Sequence, residues 1–272
     1  MTSTSEFSDR TTIVVGASRG LGRGIATAFA EAGAPVIAVA RTAAPAVDLA
    51  GGGGIQQEVA DAADARVAAS LLDRYEPEAI ILVAGASPLL RPLQHQTWEA
   101  FSVNWHVDVR ITFHWLREAL LKPLRPGSRV IVISSGAALQ GSPLSGGYAG
   151  AKATQRFITA YAQEEANRAA LGITFTTVLP RITPHTDLGR PAIRAYAARS
   201  GQTEQQYLQQ FGEPLTPEIA GAAVVELLHT DPANIAPGYV LTGAGLKPAQ
   251  PAAGSPADRI QTRRPLATRA GV

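Results

Sequence analysis

At 272 residues, with 46% hydrophobic and 17% charged side chains, the chain is long enough for one substantial core or two small ones. Its 24 basic and 22 acidic residues leave a formal charge of only +2, and without a basic cluster in the body of the chain that balance argues against nucleic-acid binding. There are no cysteines, hence no disulfides and no cysteine metal site; residues 1–10 are polar with no apolar signal core, and no apolar run reaches the roughly 20 residues needed to span a bilayer. A cytoplasmic domain of enzyme size, with no membrane or nucleic-acid partner, is the expectation.

Short apolar runs alternate with longer amphipathic ones. The runs at residues 12–16, 36–41, 54–59, 79–84, 129–135, 173–179 and 238–242 read as strands. Two of them, Ile80-Ile81-Leu82-Val83 and Val130-Ile131-Val132-Ile133, are continuously apolar, as parallel strands covered on both faces are. The stretches 21–32, 62–74, 97–121, 147–170, 191–211 and 217–228 read as helices. Such alternation predicts an α/β fold: a doubly wound, parallel, seven-stranded Rossmann-type sheet with helices on both faces. No internal repeat is present. Residues 1–10 read as a flexible N-terminus, 11–245 as a single domain, and 51–54 as a flexible glycine turn. The tail 246–272, rich in Pro, Ala and Gly and carrying Arg259, Arg263, Arg264 and Arg269, lacks apolar residues to bury and reads as disordered.

The first strand runs into Gly16-Ala17-Ser18-Arg19-Gly20-Leu21-Gly22, followed by a helix. Glycines in this place let the backbone turn tightly against a pyrophosphate, and the helix N-terminus offers free N–H groups and a favourable dipole. Gly16, Ser18, Arg19, Gly20, Leu21 and Gly22 are therefore candidate dinucleotide contacts. At the end of the second strand, Val39-Ala40-Arg41, the acid that would hold a ribose 2′-hydroxyl is absent. Arg41 and Arg19 are instead suited to a 2′-phosphate, by forked, charge-assisted hydrogen bonds. NADP(H) is the cofactor this pattern favours.

From Arg129 the chain reads R-V-I-V-I-S-S-G-A-A-L-Q-G-S-P-L-S-G-G-Y-A-G-A-K. A buried strand ends in Ser134-Ser135, and Tyr148 and Lys152 share one face of the helix that follows. A phenol is a poor base near neutrality, and a neighbouring ammonium favours its phenolate form. With the glycine loop and the strand-terminal serines, this constellation resembles the short-chain dehydrogenase/reductase family, in its shorter single-domain subtype with a Gly-x-x-x-Gly-x-Gly loop, over residues 11–245.

The resemblance implies an oxidoreductase that interconverts a carbonyl and an alcohol of a small molecule by hydride transfer. Its implied acid/base is Tyr148, with Lys152 beside it. Ser135, thirteen positions before Tyr148, is the implied catalytic serine. Asn104, in Phe101-Ser102-Val103-Asn104, is the implied anchor of a water relaying protons to Lys152. Glu58-Val59 matches the family's adenine-holding pair. The family's Asn-Asn-Ala-Gly appears as Leu82-Val83-Ala84-Gly85, keeping Ala84 and Gly85 and losing both asparagines, so support for that strand and the cofactor must come from elsewhere. Pro180-Arg181 stands where Pro-Gly is usual, and Arg181 either restricts the loop or meets an anionic group. The threonine for the nicotinamide carboxamide is Thr183 or Thr186, with Thr186-Asp187-Leu188 the better match. Residues 191–211, with Tyr196, Tyr207 and Phe211, resemble a substrate-binding lid whose aromatics line an apolar pocket or face the core.

The family also implies a homodimer or homotetramer, joined through residues 97–121 and 147–170, with Phe113, Trp115, Leu116, Phe157 and Ile158 shared between sheet and partner. His106 lies on another face of its helix than Asn104. Neither it nor His95, His114, His185 and His229 shows metal spacing, and Trp98, Trp105 and Trp115 read as core or interface residues. The competing function is an NADP(H)-binding regulator or scaffold on the same fold, favoured by the altered Leu82-Val83 and Arg181 and opposed by the intact Ser135, Tyr148, Lys152 and Asn104.

Overall fold

The computed structural model describes residues 10–43, 45 and 54–250. Within them eight strands form one sheet: β1 (Thr12–Val15), β2 (Val36–Ala40), β3 (Ile55–Val59), β4 (Ala79–Leu82), β5 (Arg129–Ile133), β6 (Thr174–Pro180), β7 (Gly238–Thr242) and β8 (Gly245–Pro248). Their order is β3-β2-β1-β4-β5-β6-β7-β8. All neighbours are parallel except β7 and β8, which pair antiparallel with Leu241 opposite Leu246.

The sequence reading is right about the Rossmann-type fold and one strand short. Residues 246–248, assigned to the tail, belong to this hairpin; residues 251–272 and 1–9, and most of the glycine turn, lie outside the described residues.

β1, β4 and β5 are buried along their whole length, as expected of strands covered on two faces. On one side α1 (Gly20–Glu31) and α9 (Pro217–His229) pack Phe29, Leu227 and Val224 against the sheet. On the other, α2 (Ala65–Tyr75), α4 (Arg110–Leu121) and α6 (Gly146–Arg168) contribute Leu71, Trp115 and Ala162. Trp115 is fully enclosed, and its indole N–H reaches the Ala62 carbonyl at 3.2 Å. Its enclosure is consistent with a cost of about 3–5 kcal/mol on truncation to alanine. Asp64, Thr97 and Thr216 start their helices as side-chain caps.

Two expected helices are interrupted. The stretch 97–121 is α3 (Trp98–Asn104), a π-helical turn over Trp105–Val109, then α4. The stretch 191–211 splits into α7 (Gly189–Arg199) and α8 (Glu204–Gln209). The break falls at Gly201, in a left-handed conformation, and Thr203 and Gln206 restart the helix with a capping box. A short α5 (Ala137–Gln140) follows β5.

β1 pairs with β2 on one side and β4 on the other. The chain reverses its winding there, so a crevice opens beyond the carboxyl ends of β1 and β4, the place where open α/β sheets hold ligands.

Candidate active site

A cleft of ≈ 480 Å³ occupies this crevice. It is walled by the glycine loop after β1, the ends of β2, β4 and β5, Tyr148 and Lys152 of α6, and the segment joining β6 to α7. The structure thus collects into one cavity nearly all the positions singled out from sequence: Gly16, Ser18, Arg19, Gly20, Leu21, Gly22, Arg41, Ala84, Gly85, Ser135, Tyr148, Lys152, Pro180 and Thr186. Asn104, Glu58 and Val59 are placed elsewhere.

The loop is shaped for a close-lying ligand. Gly16 has φ +93°, and a Cβ there would fall 2.6 Å from the Ala84 amide nitrogen, so the turn admits only glycine. α1 begins at Gly20 with no side-chain cap on its first amides, leaving donors and a positive dipole end directed at the cleft. A pyrophosphate fits this arrangement.

Arg41 is exposed on the cleft wall. The Arg19 guanidinium, 72% exposed, stands 3.5 Å from Asp187 across the opening. A smaller cavity of ≈ 120 Å³ beyond the glycine loop is lined by Ser18, Arg23, Thr42, Glu58 and Val59. Arg23 had no place in the sequence reading, although it lies one turn after Arg19. The Glu58 carboxylate accepts hydrogen bonds from Tyr75 and Arg74 of α2, and the Val59 side chain is 62% exposed. Asp61 and Ala62, just beyond β3, line the main cleft.

The two serines after β5 have separate roles in the structure. The buried Ser134 hydroxyl donates to the Lys152 carbonyl at 2.8 Å, pinning α6 to the strand. Ser135 lines the cleft, and its Oγ accepts the Ala137 amide at 3.2 Å. Four residues separate Tyr148 from Lys152, and the ammonium lies 5.5 Å from the phenol ring centroid. Lys152 is 4% exposed and forms an ion pair with Asp108, Nζ to Oδ2 3.1 Å. Burial, the largest single influence, pulls its pKa down; Asp108 and then Tyr148 oppose that, and the net displacement is upward. The ammonium therefore stays charged inside the protein.

Asn104 is buried and not on the cleft wall; its side-chain N–H groups go to the Ala86 carbonyl at 2.7 Å and to Asp108 Oδ1 at 3.2 Å. It reaches Lys152 through Asp108. The sequence reading missed Asp108 altogether. The signal for it was an acid four residues after Asn104, on the same helical face.

Thr183 and Thr186 are both buried, with hydroxyls 2.9 Å apart, and both line the cleft. Thr186 additionally accepts the Gly189 amide at 3.0 Å and lies 3.7 Å from where a Cβ of Gly20 would be. Arg181 borders both the cleft and a neighbouring cavity toward Leu208 and Phe211. In the lid-like stretch, the Tyr196 hydroxyl bonds to Ser142 and accepts the Leu144 amide at 3.2 Å, clasping the loop that leads to Tyr148.

Among the described residues no group of three or more His, Cys, Asp or Glu is placed to hold a metal. Among the described residues no helix is long and apolar enough to cross a membrane.

Comparison with known proteins agrees with this geometry. Residues 10–196 match the family model of the short chain dehydrogenases. L-xylulose reductase of Mesocricetus auratus is 33% identical over 102 residues, 37% of this chain and 42% of that protein; the matched stretch is thus less than half the length of that relative. A short chain dehydrogenase from Mycobacterium avium superposes with TM-score 0.71 at 24% identity, covering 92% of this chain and 88% of its own. A 3-oxoacyl-[acyl-carrier protein] reductase from Brucella melitensis, in complex with NAD, gives TM-score 0.67 at 25% identity over 80% of this chain and 89% of its own.

Proposed function

The chain belongs to the short chain dehydrogenase family, and from that premise we propose that it is an NADP(H)-dependent oxidoreductase reducing the carbonyl of a small molecule, or oxidising the corresponding alcohol. The observation that carries the reading is the buried Lys152 side chain, 3.1 Å from Asp108 and 5.5 Å from the Tyr148 ring, in a cleft that also contains Ser135.

The glycine loop and the open start of α1 suit the pyrophosphate, and Arg41 and Arg19 suit a 2′-phosphate. A nicotinamide dinucleotide held in this cleft would supply hydride-transfer chemistry at the substrate carbon. Ser135 donates a hydrogen bond to the substrate oxygen. Tyr148 delivers the proton to that oxygen in reduction and removes it in oxidation. Lys152 stabilises the phenolate left behind and offers donors to the nicotinamide ribose. Thr186 is the residue assigned to the carboxamide.

The similarity to L-xylulose reductase makes short ketoses the first substrates to try. NADPH and NADH consumption should be followed with a panel of ketoses, other ketones, aldehydes and quinones. Activity with at least one carbonyl, lost by about 10²–10⁴-fold in Tyr148→Phe with dinucleotide affinity kept, is the expected result. A Tyr148→Phe enzyme with near-normal turnover on the best substrate overturns the mechanism. Tight dinucleotide binding without turnover across the panel would favour a regulatory protein instead.

A further inference from the structure

Asp108 is a fully buried carboxylate in the π-helical turn over Trp105–Val109, and three separate pieces of the chain converge on it. Its Oδ1 accepts the Ala86 amide at 2.8 Å and the Asn104 side-chain amide at 3.2 Å, while its Oδ2 faces the Lys152 ammonium at 3.1 Å. Its backbone carbonyl accepts Thr112 Oγ at 2.9 Å and Gln155 Nε2 at 3.1 Å, fixing the turn to α4 and α6. The loop after β4 is cut to fit: a Cβ on Gly85 would come 2.7 Å from Asp108 Oδ2. This is the loop where the chain carries Leu82-Val83 in place of asparagines, and here the supporting hydrogen bonds come from Asp108 and Asn104.

We propose that Asp108 is a positioning residue of the reaction: its carboxylate keeps the Lys152 ammonium charged and aligned beside Tyr148, and couples that ammonium to the loop forming the cofactor wall at Ala84–Ala86. The proposal rests on Tyr148 and Lys152 acting as described above. An ammonium in this interior is sustained by a close anion, and an anion there by a close cation; with either removed, the other is a buried uncompensated charge.

The groups facing Lys152 are few. From α6 comes Tyr148, from the π-helical turn Asp108, and from the segment after β5 the neutral Ser134 and Ser135; the loop after β4 brings no ionisable group. Arg19, Arg181, His185 and Asp187, with Asp61 and Arg41, are spread along the cleft wall. Taking the negative charge of Asp108 away therefore makes the Tyr148–Lys152 pair release its first proton more readily, whichever of the two gives it up.

The test is Asp108→Asn in the full chain, which keeps size and an acceptor for Ala86 but removes the charge. The high-pH limb of carbonyl reduction should move to lower pH by about 1–3 units relative to wild type, with a matching acidward shift of the alcohol-oxidation limb. Profiles that superimpose after scaling overturn the proposal.

A second measurement needs neither cofactor nor activity. Lys152→Met strands the Asp108 carboxylate, so the Lys152→Met/Asp108→Asn double variant should resist denaturant better than Lys152→Met alone. A double variant no more stable than Lys152→Met refutes the pairing, also in the event that Asp108→Asn alone does not fold. Full activity of Tyr148→Phe would overturn the acid/base reading separately, leaving the stability comparison to judge the pair.

Discussion

The Ser134 hydroxyl donates to the Lys152 carbonyl at 2.8 Å, while its neighbour Ser135 faces the cleft. Two adjacent serines thus differ in placement: Ser134 ties α6 to the end of β5, and Ser135 lines the cleft, where the proposed function gives it the substrate oxygen. Ser134→Ala leaves a buried helix carbonyl without its side-chain partner and should cost about 1–3 kcal/mol of stability, with turnover largely kept at permissive temperature. Ser135→Ala should do the reverse, lowering kcat/KM by tenfold or more with little change in melting temperature. Thermal melts and steady-state kinetics on the two variants check the division; equal losses of activity would contradict it.

Cofactor choice follows from the charged groups at the end of β2 and in the glycine loop. Arg41 is exposed on the cleft wall with no acid in its place, so NADPH should bind well ahead of NADH. Arg41→Ala should weaken NADPH by about 1.5–3 kcal/mol, as for a hydrogen bond to a charged group, and leave NADH nearly unchanged. Raising ionic strength should narrow the difference for so exposed a contact. Equal affinities of the wild-type protein for the two dinucleotides, by titration calorimetry or fluorescence, would overturn the assignment.

The approach of α3 to α6 gives a third test. A Cβ on Gly147 would lie 1.9 Å from the Phe101 carbonyl oxygen, whereas one on Gly150 would meet only the Trp105 ring at 3.6 Å. Gly147→Ala must push apart the two helices that carry Asn104 and Tyr148, costing about 1–3 kcal/mol or more and disturbing turnover. Gly150→Ala should be neutral or stabilising by up to about 1 kcal/mol, since alanine is the better helix former. Denaturant unfolding of both proteins measures the contrast.

What the sequence made legible was local. The glycine loop, the Tyr148–Lys152 spacing and the apolar strands each declare themselves within a few residues, and the parallel sheet follows from their alternation. Asp108 could not be placed because its partners, Ala86 and Lys152, are 22 and 44 positions away in the chain, and only the packed fold brings them together. The turn at Trp105–Val109 lies inside a stretch read as one helix and carries no glycine or proline to mark the change to π geometry. Residues 246–248 were taken for tail because so short a segment ending in proline has little strand character of its own; pairing with β7 makes them part of a strand. Glu58 was assigned to adenine because Glu58-Val59 matches the family's acidic-apolar pair, and its hydrogen bonds to Tyr75 and Arg74 reflect a neighbouring helix that the motif does not encode.

The last prediction concerns assembly. Of the five residues expected to be shared with a partner, Trp115 and Leu116 are buried in this chain's own core and Ile158 packs against it. Phe113 and Phe157 remain, 52% and 41% exposed, with Tyr161 at 56% and Trp105 at 41% on the same two helical stretches. Large aromatics left uncovered on adjoining helices are a candidate association surface, and burying them is expected to supply the core of a dimer or tetramer contact. Light scattering at micromolar concentration should therefore give a multiple of the 28.4 kDa chain mass. Phe113→Glu combined with Phe157→Glu should shift the protein toward monomer while circular dichroism shows the fold intact, because neither side chain belongs to the core. A wild-type protein that is monomeric under these conditions would show that the exposed aromatics serve another partner or none.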